Sequence, residues 1–470
     1  MSQKYTLFGA IKLFFLLFGG IYVNPSFSQS LSLKAAIDQG VANYGILKAK
    51  KRYAQAASET IVQVKREYLP NLNLSAQHNF GTINGQNGPL YGLGGLGVAS
   101  SGLPLDQQSW NAAFGALYLV NVNWEFFNFH RTQQRISVAQ SEVERFQKDY
   151  EQELFQHQVK IAAAYLNLLA SQRLLISQQK NLERTQVVYR NVSTRAKNGL
   201  LPGVDTTIAL AENSRARITL NQVKEQVKIQ NNELVILLGI APQDLRIDTT
   251  FISKIPTAIA AAEAASDSLQ HPSRQFFQSR IVQSKELEKL FKKEYMPTFT
   301  AFGIYQTRAS GFRSDYAQDQ NSFTQSYFTG ILPTRQNYLF GVGAVWNLTS
   351  IKRAEKKISY QKLLTQGLEE EYKALDLELR VREDAANARL GYALQNFREA
   401  PLQVNAASRV YQQQLARYNN GLADLIDVTT ALFTLNRAET DRDVAFTNVW
   451  QALLMKAAAT GDFGLFINEF

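Results

Sequence analysis

The chain has 470 residues, a formal charge of +10, 4 His and no Cys. Without Cys there are no disulfide frameworks, thiolate metal sites, Cys nucleophiles or a lipid-modified N-terminal Cys. A hydrophobic fraction of 45% and a charged fraction of 19% exclude a disordered chain, and the basic excess is too diffuse to mark a nucleic-acid surface.

Residues 1–28 read as a secretory signal peptide. Lys4 and Lys12 precede an apolar run from Leu13 to Val23, and Ser26 and Ser28 hold the −3 and −1 positions of a cleavage site before Gln29. Removing the segment takes away only Lys charges and leaves about +8. No later stretch approaches ~18 uninterrupted apolar residues, so no transmembrane helix is predicted.

Beyond the leader, the chain is one pattern written twice. "VNVNWEFFN" at 120–128 aligns with "VGAVWNLTS" at 342–350, and "YRNVSTRAKNGLLPGVDTT" at 189–207 aligns with "YQQQLARYNNGLADLIDVTT" at 411–430, both 222 positions apart. Upstream, "KREYLPNL" at 65–72 matches "KKEYMPTF" at 292–299. A period this long is a duplicated domain-sized unit rather than a solenoid repeat. The predicted organisation is a first repeat over 29–240, a linker over 241–257, a second repeat over 258–461 and a tail over 462–470.

In the first repeat a helix runs from about Leu33 to Glu67 with a break near Asn43–Gly45, and Pro70 forces an extended start. Strands are predicted at about 70–81 and 113–127. Leu72, Leu74, Ala76, His78 and Phe80 share one side of the first, and Asn71, Asn73, Ser75, Gln77 and Asn79 the other. Phe114, Ala116, Tyr118, Val120, Val122, Trp124 and Phe126 share a face of the second. "GLGGLG" at 92–97 spells a dinucleotide fingerprint, but it lies in a strand-to-strand loop rather than opening a helix. Long helices follow at 131–198 and 204–238. Arg131 to Lys197 holds neither Pro nor Gly and would span about 100 Å. Leu154, Ile161, Leu168, Leu175, Leu182 and Tyr189 recur every seventh residue as a coiled-coil seam. The second repeat has predicted strands at about 297–308 and 338–348 and helices at 351–420 and 423–459, with Pro401 expected to kink the first of these helices.

These parts predict a mixed α and transmembrane β fold. Aromatic-faced strands of about ten residues suit a tilted span, and in lipid every sheet edge must be paired. Four strands are too few to close a barrel, so three chains would supply twelve, with the polar face lining a lumen. The helices are too polar to enter the bilayer and extend as a tube into the periplasm. Nothing in the sequence brings a nucleophile, base and orienting group together, so no enzyme, cofactor or metal is predicted.

The doubled strand and long-helix unit, the "YLP" and "YMP" strand starts, the Trp before each long helix, and the "NGLLPGVDTT" and "NGLADLIDVTT" turns resemble the TolC-type outer-membrane efflux proteins. The resemblance implies a homotrimer with a 12-stranded barrel in outer-membrane lipid, a periplasmic coiled-coil tunnel and an iris-like gate. It also implies a periplasmic adaptor (membrane fusion) protein and an inner-membrane pump of the RND or ABC type. Asn198, Gly199 and Leu200, with Asn420, Gly421 and Leu422, match adaptor-docking tip loops. Asp427 matches an acidic ring at the pore constriction, Thr430 stands at the position of a second ring, and Asp205 and Tyr418 match a gate hydrogen-bonding pair. Ala423 stands where an Arg supports the closed state in the best-known members. Asp424 lies three residues before Asp427 on the same helix face, and it reads either as a displaced second ring or as a solvated helix cap. A different reading is a coiled-coil structural or adhesin-like protein anchored by a trimeric barrel. Two evenly spaced strand pairs alternating with helices count against that.

Overall fold

The computed structural model describes residues 30–85, 104–256 and 270–470. The leader and the "GLGGLG" segment lie outside the described residues. The first repeat comprises α1 (Leu33–Asn43), α2 (Gly45–Arg66), β1 (Asn71–Thr82), β2 (Ala112–Phe127), α3 (Arg131–Lys197) and α4 (Gly203–Leu238). The second comprises α5 (Pro272–Glu294), β3 (Thr298–Ser310), a short α6 (Tyr327–Ile331), β4 (Arg335–Val345), α7 (Ser350–Asn419) and α8 (Leu425–Thr460), with α9 (Gly464–Ile467) beyond it.

The repeated sequence motifs have local physical reasons. Pro cannot continue a helix, so Pro70 and Pro297 mark where α2 and α5 give way to strands. The Tyr two residues earlier offers its carbonyl to the repeat's Trp. Trp124 Nε1 donates to Tyr68 O at 2.9 Å, and Trp346 Nε1 donates to Tyr295 O at 3.0 Å. Each Trp thereby pins the end of one strand to the start of its neighbour. Beyond the Trp the repeats differ. Phe129 and His130 both take left-handed backbone (φ 52° and 64°) before α3, conformations that non-Gly residues enter at a cost. Asn128 holds this joint, its amide donating to Glu125 Oε1 and Thr132 Oγ1, and Arg131 pairs with Glu125.

The strands form one antiparallel sheet in the order β1-β2-β3-β4, with a register irregularity between Glu125 and Phe127. Pairings such as Leu74 with Val120, Val120 with Tyr305 and Tyr305 with Tyr338 align the apolar positions of all four strands on one face. The other face carries Asn71, Asn73, Ser75, Gln77, Asn121 and Asn123, as the alternation predicts. In the middle and in the second repeat it also carries Leu117, Leu119, Phe302, Ile304 and Leu339. That face is therefore polar on β1 and mixed on β2, β3 and β4.

The helices pack as two long hairpins, α3 with α4 and α7 with α8, joined laterally by α3 against α8. The core lies midway along α3. Ile161, Leu166, Leu168 and Leu169 are wholly buried against α1, the end of α4, Phe397 of α7 and Trp450 of α8. Composition alone would let part of α3 cross a membrane, and this packing accounts for its apolar stretch instead. A belt crosses the core. Leu31 bridges Ile247 in parallel, and Tyr165 Oη donates to Leu31 O at 2.8 Å. The seam departs from the seven-residue register below the core. Leu175 and Leu182 are half-buried, while Ser171, Ser177, Gln178 and Thr185 are the buried positions. Pro401 does not end α7, which runs unbroken through it, although Pro leaves the Phe397 carbonyl without its helical donor.

Candidate functional site

The two hairpin tips are built from one motif. Asn198 is the C-cap of α3, and Gly199 follows at φ 73°; Asn420 is the C-cap of α7, and Gly421 follows at φ 74°. A left-handed residue is needed there, and Gly takes it without a Cβ penalty. Gly199 N donates to Ala196 O and Leu200 N to Arg195 O; Gly421 N donates to Tyr418 O and Leu422 N to Arg417 O. These are the paired bonds of a Schellman cap, made twice. Asn198, Gly199, Leu200, Asn420, Gly421 and Leu422 are all exposed at the tips.

A small apolar cluster behind the tips ties the hairpins together. Val188 and Val192 of α3, Ala209 of α4, Tyr418 of α7, and Leu425 and Val428 of α8 are buried in it. Asp205 lies in the first turn of α4, half-buried, where a carboxylate suits the helix dipole. The structure brings it beside Tyr418. Burial raises the Tyr418 phenol above its usual value, and the Asp205 carboxylate raises it further, while Arg195 opposes both. The Tyr418 hydroxyl is buried without a hydrogen bond of normal geometry, so the two groups are adjacent and the bond between them is not closed.

Asp424 is the N-cap residue of α8, but its side chain makes no capping bond. Asp427 follows in the first turn, and Asp424, Asp427 and Thr430 are all exposed. Ala423 packs at the edge of the tip cluster.

Two contacts nearby carry no signal in the sequence. Arg195 lies over the Tyr418 ring at 5.9 Å and brings a cation to the tip cluster against which Ala423 packs. Arg184 of α3 binds Glu439 of α8 through both guanidinium arms, at 2.8 and 2.7 Å. The Glu439 hydrogen bonds raise the Arg184 pKa. The residues of each pair are separated by more than two hundred positions, and neither spacing nor composition links them. Between them, α3, α4 and α8 enclose a cavity of about 240 Å³ lined by Thr185, Arg215, Phe433 and Asn436 among others. Between the central core and the tip cluster the hairpins thus meet through polar and loosely filled contacts.

Residues 36–240 match the family model described as outer membrane efflux protein. Among solved structures, VceC of Vibrio cholerae superposes with a TM-score of 0.70 at 14% identity, covering 91% of this chain and 96% of its own. CmeC of Campylobacter jejuni, an outer membrane channel, gives 0.70 at 15% identity over 92% and 85%. The open state of the Neisseria gonorrhoeae MtrE outer membrane channel gives 0.67 at 14% over 91% and 88%. No curated protein matches in sequence. The first repeat thus matches the outer membrane efflux protein model, and the chain shares the fold of these channels over about nine-tenths of its length.

Proposed function

We propose that three copies of this chain form an outer-membrane exit duct, a passive conduit from periplasm to exterior with a gate at the helical tips. The observation that carries this reading is the open sheet. β1 and β4 are its two edges, and β1 is exposed along its whole length. β4 exposes Tyr338, Phe340, Val342 and Val345. Unpaired edges with apolar faces cannot persist in lipid, and joining β4 of one copy to β1 of the next satisfies both. From Trp124 back to Phe114 the strand rises about 33 Å along its axis, or about 25 Å at the usual tilt of about 40°. Aromatic residues crowd both ends of that span: Tyr68, Trp124 and Trp346 at one, Phe80, Phe114 and Tyr327 at the other. This is the girdle pattern of a lipid-facing barrel wall.

In such a trimer the exposed Asp427 side chains would form a carboxylate ring at the tip, joined by Asp424 if its side chain also turns inward. The Asp205 and Tyr418 pair would hold the tip closed. The exposed tip loops would receive a periplasmic adaptor, and an inner-membrane pump of the RND or ABC type would drive transport. Planar-bilayer recording tests the assignment. Asp427→Ala should weaken block by multivalent cations at least several-fold, and unchanged block would remove Asp427 from the constriction.

A further inference from the structure

The short helix α6 (Tyr327–Ile331) sits on the sheet face that carries Trp124, at the end farthest from the long helices. We infer that α6 is a lipid anchor lying against the outside of the barrel wall, with Phe328 and Leu332 inserted among the acyl chains of the outer leaflet. The inference rests on the membrane reading of the sheet.

Three observations carry it. The seat is built for close approach: a Cβ on Gly330 would fall 2.5 Å from Phe114 Cβ and 2.6 Å from its carbonyl oxygen. Tyr327 packs edge-on against Phe114 at 5.0 Å between ring centroids. The polar groups under the helix are matched to one another. His78 stands in an apolar row, and Tyr118 Oη lies 2.8 Å from its Nε2 and Tyr327 Oη 3.0 Å from its Nδ1. Tyr118 Oη in turn donates to Ile331 O at 3.2 Å. One tautomer satisfies the set: Nε2–H donates to Tyr118, whose hydroxyl donates to Ile331, while Tyr327 donates to Nδ1. A histidine on a lipid-facing wall needs such partners, because no water is there to supply them. The helix backbone closes on itself as well, with Gly330 N bonded to Ser326 O and Leu332 N to Phe328 O; Thr334 N then returns to Arg308 O on the sheet.

The outward surface of α6 is what water would not favour. Phe328 is 72% exposed and Leu332 63%, side by side one turn apart. The helix lies at the level of the outer aromatic girdle, where a phenyl and a leucyl side chain gain by entering hydrocarbon. The partner this surface fits is therefore lipid acyl chain.

The cysteine-free sequence allows a direct test on the whole protein. Single-site variants Phe328→Cys and Leu332→Cys would be spin-labelled and reconstituted in phospholipid vesicles. Collisions with oxygen and with a water-soluble nickel chelate would then be compared. Leu74→Cys, in the middle of the same face, and Asn73→Cys, on the opposite face, serve as references. Labels at 328 and 332 should match Leu74, favouring oxygen over nickel. If they instead match Asn73 while Leu74 favours oxygen, α6 lies in water and the anchor is refuted with the membrane reading intact. If Leu74 also favours nickel, the membrane reading fails and takes the anchor with it. Adding His78→Ala to the Phe328→Cys variant should mobilise the label, and an unchanged spectrum would show that the His78 hydrogen bonds do not hold α6 to the wall.

Discussion

Tyr418 is a buried phenol beside a carboxylate and beneath a guanidinium, with a hydroxyl that has not yet found its bond. Its raised pKa keeps the phenol protonated at neutral pH and so able to donate to Asp205. If that contact restrains the tip, Tyr418→Phe and Asp205→Ala should each raise single-channel conductance or open time severalfold in planar bilayers. Wild-type behaviour in both would place the restraint elsewhere. The pairing was suggested only by the resemblance of the "NGL" turns to the TolC-type family, and the structure places the two residues side by side without closing the bond. Arg195 was not legible, because its role depends on which side of the tip cluster α3 presents. Histidines at this scale set an acid limit. Burial holds His157, stacked on Tyr44 at 3.7 Å, and His271 below the usual 6.5. The unfolded chain then takes up protons first as pH falls, so stability is complete above about pH 6.5 and declines below it. Thermal midpoints should drop by several degrees between about pH 7.5 and 5. His157→Phe should flatten that slope, and identical slopes would show that His157 is not its source.

At the scale of elements, the strands were the most readable part of the chain. Alternation assigns Leu72 to Phe80 and Phe114 to Trp124 to one side without reference to any partner, and antiparallel pairing merely aligns those sides. The second repeat was less legible because Phe302, Ile304 and Leu339 place apolar side chains on the face where β1 has Asn and Ser. The helical seam was legible in period but not in phase. A helix with two neighbours turns different stripes to each, and a periodicity of seven cannot say that Ser177 and Gln178 face inward where Leu175 and Leu182 do not. The Arg184 and Glu439 pair bridges the hairpins across this polar stretch. Both side chains are largely shielded, so a double-mutant cycle with Arg184→Ala and Glu439→Ala should give a coupling of about 1–3 kcal/mol. A coupling near zero would mean the hairpins are held by the apolar clusters alone. At the joint before α3, His130→Gly should raise stability by about 1 kcal/mol, since Gly takes the left-handed backbone freely.

On the scale of the whole molecule, one chain leaves open what its copies would close. The hydrophobic core around Ile161 and Trp450 is complete within one chain, and the sheet is not. Sequence could reveal that four strands are too few to shut, because that follows from strand count. The seating of α6 against Phe114 could not be read, because it depends on a contact between loop and wall far apart in sequence. Native mass spectrometry of protein extracted from the outer membrane in mild detergent tests the central claim most directly. The account predicts a species of three chains that resists dissociation until the sheet itself unfolds. A stable single chain, recovered from the membrane with its sheet intact, would contradict it.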